Sequence, residues 1–455
     1  MRSALLVLGL GFAASSLGLG GLGCSSGNEA HEDAQDDLTN IPVTTVEDQA
    51  QNDTCWLYAT TAWLESLHAE AAGTSVHYSP AYLEYWRFYN LLTAQKLTAT
   101  SQVRQTGYWG WASNIIQQRG IVPLGTFSDS DAVTEYSAFT RINAELKAGA
   151  FGAIGTIPGG ALVRAKLDAA FGLSMSESAL LTEVFGSDGS KSFLGGAVAS
   201  GTVVAPQDFA VLTPVFGQGK VMTTLDQVMG TWAGGTHTAD DRSGAMAWTG
   251  VYPPGYAGFE AFMGEGGTTA ATNMDGAPAG KTSATTNTLP AIPTVDPAAW
   301  RPMLQRIQRA LNDGAPLPAI WEESRANADA TGAFHTVPSA LPSSTGSHVT
   351  LLTDYQVSNV PGFGTLLAGT PATPAQMAAS LDDGALVDFL RAKNSWATDI
   401  FPEAPLPGYV DLDLAYLMEA VYLCNTAEGS LSTPSSTFCT AYGPMLWDVI
   451  LPPGY

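Results

Sequence analysis

The pattern of apolar and polar positions changes character along this chain, and each change marks an element. Residues 4–19 form an apolar, glycine-rich run, and residues 25–42 are mostly Ser, Asn, Glu, Asp and Gln without periodicity. Between Cys55 and Ala72 there is no Gly or Pro, and Ala59, Ala62, Trp63, Ser66 and Leu67 recur at helical spacing. That predicts a helix with one small-to-apolar face, capped by Asp53 or Thr54. Helical spacing returns over 137–149 and 160–186, and Val203–Val215 reads as a strand and a short helix around Asp208 and Phe209. Residues 266–293, rich in Gly, Thr, Ala and Asn, predict a long exposed loop, either a surface excursion or a lid. Asp296 and Pro297 open a further helix carrying Met303, Ile307, Ala310 and Leu311 on one face and stopping at Gly314. Pro316–Trp321, the apolar run after His348 and Gly408–Leu414 read as strands, and Leu414–Val421 as a short helix. Helices thus dominate the first part of the chain and strands the last, an α+β order.

Composition sets the scale. A chain of 455 residues with 45% hydrophobic content can bury a large core, in one bilobal unit or two to three smaller domains. Its 19 basic and 42 acidic residues leave a formal charge of −23, which argues against an electrostatic grip on nucleic acid. At the N-terminus, Arg2, the apolar run and Gly-Leu-Gly-Cys24 resemble a bacterial lipoprotein signal. The resemblance implies that residues 1–24 are a lipoprotein signal cleaved before Cys24, which becomes the lipidated first residue, and the polar, acidic residues 25–42 read as a disordered tether. The protein is then expected to be exported and held at the cell envelope through the lipid on Cys24, or, with simple cleavage, secreted.

Export gives the four cysteines different meanings. Cys24 belongs to the signal, Cys424 and Cys439 can form a disulfide worth about 3 kcal/mol, and Cys55 is left unpaired. A thiol in the first turn of a helix meets the positive end of the helix dipole, which lowers its pKa from about 8.5 toward neutrality. On that evidence Cys55 is either an inert buried thiol or a nucleophile. His31, His68, His77, His237 and His335 show no metal-ligand spacing, no cofactor or metal is required, and Glu322-Glu323 reads as rim charge.

Three segments in order bear on the choice: Gln49 with Cys55-Trp56, His348 at the start of an apolar strand, and Lys393-Asn394-Ser395-Trp396. Together they resemble the signature segments of papain-like cysteine peptidases. The stretches Tyr78–Trp86 and Gly107–Pro123 are similar to the bleomycin hydrolase and aminopeptidase C branch. The family separates Cys and His by roughly 130–150 residues, so the spacing here implies an insertion of about 150. The resemblance implies a two-lobed fold: residues 43–125 as a helical lobe with the nucleophile, 126–295 as the insertion and 296–455 as a sheet-rich lobe. It also implies roles: Cys55 as nucleophile, His348 as general base and acid, Asn394 orienting the imidazole, Trp396 shielding that bond, and Gln49 with the Cys55 N–H as oxyanion hole. The expected substrate is a peptide or protein. Two other expectations use the same residues, a catalytically degenerate surface binding protein and an amide hydrolase or acyl transferase acting on a non-peptide substrate.

Overall fold

The helix Cys55–Ala72 is the element on which the rest is built. Trp56, Leu57, Trp63, Leu64 and Leu67 are fully buried, and so are Thr60, Glu65 and Ser66 on its other sides. The single apolar face expected from the sequence is therefore an understatement, because a helix covered on every side lies in the middle of a protein. It ends at Gly73, whose φ of 69° is the left-handed conformation that glycine adopts without cost. The computed structural model describes residues 38–39, 41–127, 131–195, 201–232, 242–254, 296–335, 346–424 and 439–455, without the side chains of Trp232 and of 420–443. The expected signal with Cys24, most of the expected tether and the 266–293 loop lie outside them.

Two helices pack against the first, Pro80–Ala94 and Trp109–Arg119. Ser79 caps the former by accepting from the Tyr82 N–H, with Pro80 at the first helical position. Trp63 joins the layers, with its ring 5.4 Å from Trp109 and 5.2 Å from Trp248, edge-on in both cases. Residues 160–186 are two helices rather than one run, Gly160–Ala170 and Met175–Phe185. The break falls at Gly172, with φ 69°, and a capping box of Ser174 and Glu177 restarts the helix.

The segment expected as an insertion is woven into the body. The hairpin Ala210–Val215 and Gly219–Thr224 lies against the Cys55 helix, where Ala210 O is 2.8 Å from His68 Nδ1. Thr249–Val251 is an edge strand of the main sheet. That sheet runs Thr249–Val251, Leu446–Leu451, Leu317–Glu323, Gly346–Val360, Leu386–Lys393, Tyr409–Asp413 and Ala333–Phe334, with Gly364–Leu366 folded back on the central strand. Its pairs are antiparallel except the last. The register sets His348 opposite Trp321 and Lys393 opposite Leu351. The helix Pro297–Asn312 packs on the sheet through Trp300, Met303, Ile307 and Leu311, capped by Asp296 as its sequence predicts. The architecture is α+β.

Two boundaries differ from expectation. Leu38 and Ile41, placed in the tether by their polar surroundings, are core residues at 2% and 0% exposure. The Leu38 N–H donates to Asp354 Oδ2 and the Thr39 hydroxyl to Thr353 O, so the folded body begins before residue 42. Near the other end, Ala420–Cys424 pairs with Cys439–Pro444 and sets Cys424 opposite Cys439. The two side chains, and hence their disulfide, lie outside what is described. Among the described residues no helix is long and apolar enough to cross a membrane.

Gly107 makes room for Trp56, since a Cβ built on it would collide with the indole ring. Gly107→Ala is expected to lower stability by about 1–3 kcal/mol, the usual cost of overpacking, read as a reduced urea midpoint with unchanged slope.

Candidate active site

The loop that delivers Cys55 is pinned at each end. Gln49 N–H donates to Ser395 O at 2.8 Å, tying the loop to the sheet. Ala50 follows with φ 53°, a left-handed conformation costly for a residue with a Cβ, held by its N–H on Asp48 Oδ1 at 2.8 Å. Asn52 closes the turn: its amide donates to Gln49 O at 2.9 Å and Ala132 O at 2.8 Å and accepts from Gln105 at 3.0 Å. Thr54 occupies the N-cap position without capping, because its hydroxyl donates to Glu135 instead at 3.0 Å. Asp53 is exposed and makes no cap bond either.

The helix that begins at Cys55 packs against the strand that carries His348. The backbone N–H groups of Val349, the residue after His348, and of Trp56 lie near the Cys55 sulfur and favour its charged form. His348 Nε2 lies 2.7 Å from Asn394 Oδ1. The Ser395 backbone N–H, which can only donate, is 2.8 Å from the same oxygen. That atom is therefore an acceptor, and Nε2 must carry the hydrogen. Neutral His348 then has its lone pair on Nδ1, the form a base requires. Trp396 stacks on the imidazole at 4.7 Å and 17°, and Trp321 meets it edge-on at 5.6 Å. The Arg325 guanidinium covers the outer face of Trp396 at 4.2 Å.

Gln49 is buried beside this centre. Its carbonyl oxygen accepts from the Ser395 hydroxyl, and its amide nitrogen donates to Asn52 O. The second amide N–H has no acceptor among the described residues, and the Cys55 N–H, in the first turn, has none within the helix. These are two donors of the kind that binds an oxyanion. Gln49, His348, Asn394 and Trp396 are thus brought together through Ser395 and the ring stack, with Cys55 beside the Val349 backbone.

The electrostatics depart from expectation. Burial pushes the Cys55 thiol up to about 12, aided by the negative charges of Asp53 and Glu323 and opposed by the two backbone donors. The expected lowering by the helix start is overturned: the dipole acts on a sulfur that is 7% exposed and faces two carboxylates. Burial takes His348 down to about 4. At rest the pair is thiol and neutral imidazole. Glu322-Glu323, read as rim charge, is half-buried. Burial raises the Glu322 carboxyl to about 8, and Glu323 pairs with Arg325 at 2.5 Å.

No family model matches this chain, and no curated protein matches it. Two solved structures are similar to it. PepW from Lactobacillus rhamnosis aligns over 92% of this chain and 82% of its own, with a TM-score of 0.40 and 12% identity. A cysteine protease of Carica candamarcensis aligns over 90% of this chain and 93% of its own, with a TM-score of 0.30 and 10% identity. Likeness that distant assigns nothing to this chain, and the reading of the site rests on its geometry.

Behind Asn394 lies a second polar cluster that sequence reasoning missed. Lys393 Nζ donates to the Thr44 hydroxyl at 2.9 Å, which donates to Glu65 at 2.6 Å. His77 Nδ1 is 3.0 Å from Glu47 and 3.5 Å from Glu65. The ligand atoms of Glu47, Glu65 and His77 lie within 4.8 Å of one another, close enough for a metal ion. The two carboxylates instead raise His77 to about 10, so a proton supplies the positive charge there. Its contribution to stability is complete below the ordinary value of 6.5 and fades as pH rises through about 10. The available signal was a charged residue at each of two otherwise apolar positions, Glu65 in the central helix and Lys393 in an inner strand.

Because Asp53 and Glu323 both oppose the thiolate, Cys55 alkylation by iodoacetamide should climb with pH from 6 to 10 without the neutral plateau of an ion pair. Asp53→Asn should accelerate it at pH 8 by about two- to fivefold, the range of an exposed charge interaction. A slower variant would show that the carboxylate acts in the other direction.

Proposed function

We propose that this protein is a papain-like cysteine peptidase that cleaves peptide bonds through a thioester acyl-enzyme. The observation that carries the reading is the His348–Asn394 bond, whose direction is fixed by the Ser395 N–H. It leaves Nδ1 as a base on the strand whose next residue lies near the Cys55 sulfur. In the proposed reaction Sγ attacks the scissile carbonyl carbon while its proton passes to Nδ1. The carbonyl π electrons move to oxygen, and the Gln49 amide and the Cys55 N–H hold the resulting oxyanion. As it collapses, the C–N bond breaks and the His348 imidazolium protonates the leaving amine. Water, deprotonated by the same nitrogen, then attacks the thioester, and the carboxylic acid and the thiol are released. Trp396, stacked on the ring, shields the His348–Asn394 bond from water.

The neutral resting pair fits a proton transfer that accompanies attack rather than a preformed thiolate. The same observation supports a second reading, a papain-like surface protein whose thiol has lost its nucleophilicity to burial and to Asp53 and Glu323. A third reading, hydrolysis or acyl transfer on a non-peptide amide, uses the same atoms. A papain-family epoxide inhibitor separates them. Under reducing conditions the purified protein is expected to be labelled and to turn over peptides, with Cys55→Ala abolishing both. Persistent labelling in the variant overturns the assignment of the nucleophile. A folded protein without label or turnover is the binding module, and label without peptide turnover is the non-peptide enzyme.

We also infer export, from the sequence of residues 1–24, with a lipid anchor on Cys24 and a Cys424–Cys439 disulfide that the strand register favours. Mass spectrometry of the envelope fraction is expected to find a lipid-modified Cys24 at the N-terminus and a disulfide-linked peptide pair. A chain still starting at Met1 with free Cys424 and Cys439 would refute both.

A further inference from the structure

The Asn394 side chain is held by His348 and the Ser395 N–H, and Asn394 also lines a small gap. Tyr58, Ala62, Glu65, Val349 and Lys393 line that gap with it. Close packing is what normally fixes a side chain and its strand end. Here a buried polar chain crosses instead: Lys393 Nζ to the Thr44 hydroxyl, and that hydroxyl to Glu65 Oε2. Lys393 immediately precedes Asn394, and Glu65 stands on the Cys55 helix. Glu65 is held in turn by the Tyr78 N–H at 2.8 Å and faces His77, which also faces Glu47. The chain therefore connects the helix that carries the thiol to the strand end that carries the imidazole's partner. Thr44, on neither element, is the link between them.

We propose that Lys393, Thr44 and Glu65 are positioning residues: they set the Cys55 helix and Asn394 in register, so that the thiol and His348 Nδ1 stay within reach of each other. None of the three takes part in bond making. The inference rests on the catalytic reading above for its effect on turnover and on the geometry alone for its effect on the thiol and the ring. Glu47, Glu65, His77 and Lys393 are the charged groups facing one another in the cluster, and the Thr44 hydroxyl is its neutral member. Removing that hydroxyl breaks the link without changing any charge.

Thr44→Val and Thr44→Ser test it in the full-length protein. Thr44→Val is expected to lower kcat on the order of tenfold with KM nearly unchanged, short of the ~100-fold that a 1 Å misplacement can cost. It should also change the pH profile of Cys55 alkylation and move the His348 ring resonances in ¹⁵N NMR. Thr44→Ser, which keeps the hydroxyl, should restore all three. A folded Thr44→Val protein with parental kcat, alkylation profile and ring resonances overturns the proposal. If Thr44→Val does not fold, Glu65→Gln is read in the same way. Should the parent protein turn over no peptide, the peptidase reading fails, and the alkylation profile and ring resonances still decide this one.

Discussion

The Ser395 backbone N–H, 2.8 Å from Asn394 Oδ1, decides which end of that amide faces His348. An amide turned the other way would offer an N–H to Nε2 and push the imidazole hydrogen onto Nδ1, where it would block proton acceptance from the thiol. One main-chain group thus sets the tautomer of the ring. Ser395 does more than this, because its carbonyl holds the Gln49 N–H and its hydroxyl holds the Gln49 side chain. Orientation of the base and placement of the oxyanion donors are therefore coupled through one residue.

Around that residue the structure balances burial against charge. The site is dry enough to push Cys55 up and His348 down, which is the opposite of what an ion pair needs. Low dielectric also strengthens the directed hydrogen bonds that a developing oxyanion meets. A buried neutral pair gives up nucleophilicity at rest and keeps an environment in which charge formed during reaction is held by fixed donors. Burial is also what fixes the geometry, since Trp396 and Trp321 enclose the ring on two sides.

Much of the site was legible in the sequence because its parts are local. Gln49, Cys55 and Trp56 share one loop and helix start, His348 opens one strand, and Asn394 and Trp396 follow another. Helix ends were legible for the same reason: Asp296 with Pro297 and Ser79 with Pro80 act within a single turn. The thiol's ionisation was legible only in the nearby Asp53 carboxylate, because the burial that dominates it, and the Glu323 charge, come from parts of the chain far from Cys55. The Lys393–Thr44 bond, which joins residues separated by 349 positions, was not legible. The single run expected over 160–186 failed on one glycine, whose left-handed φ ended the helix that its apolar neighbours seemed to continue.

The woven middle segment has a consequence in time. Synthesis proceeds from the N-terminus at ~5–20 residues per second, so the His348 strand follows Cys55 by roughly 15 to 60 s. During that interval the Cys55 helix lacks the strand that packs beside its thiol, although Trp109 and Trp248, the partners of Trp63, have already been made. Because Trp248 and the strand Thr249–Val251 belong to the same core and sheet, no earlier part of the chain can close the structure alone. Such non-local pairing predicts slow folding. The nascent protein therefore carries its thiol without that strand for most of its assembly, and only the last third of the chain supplies it.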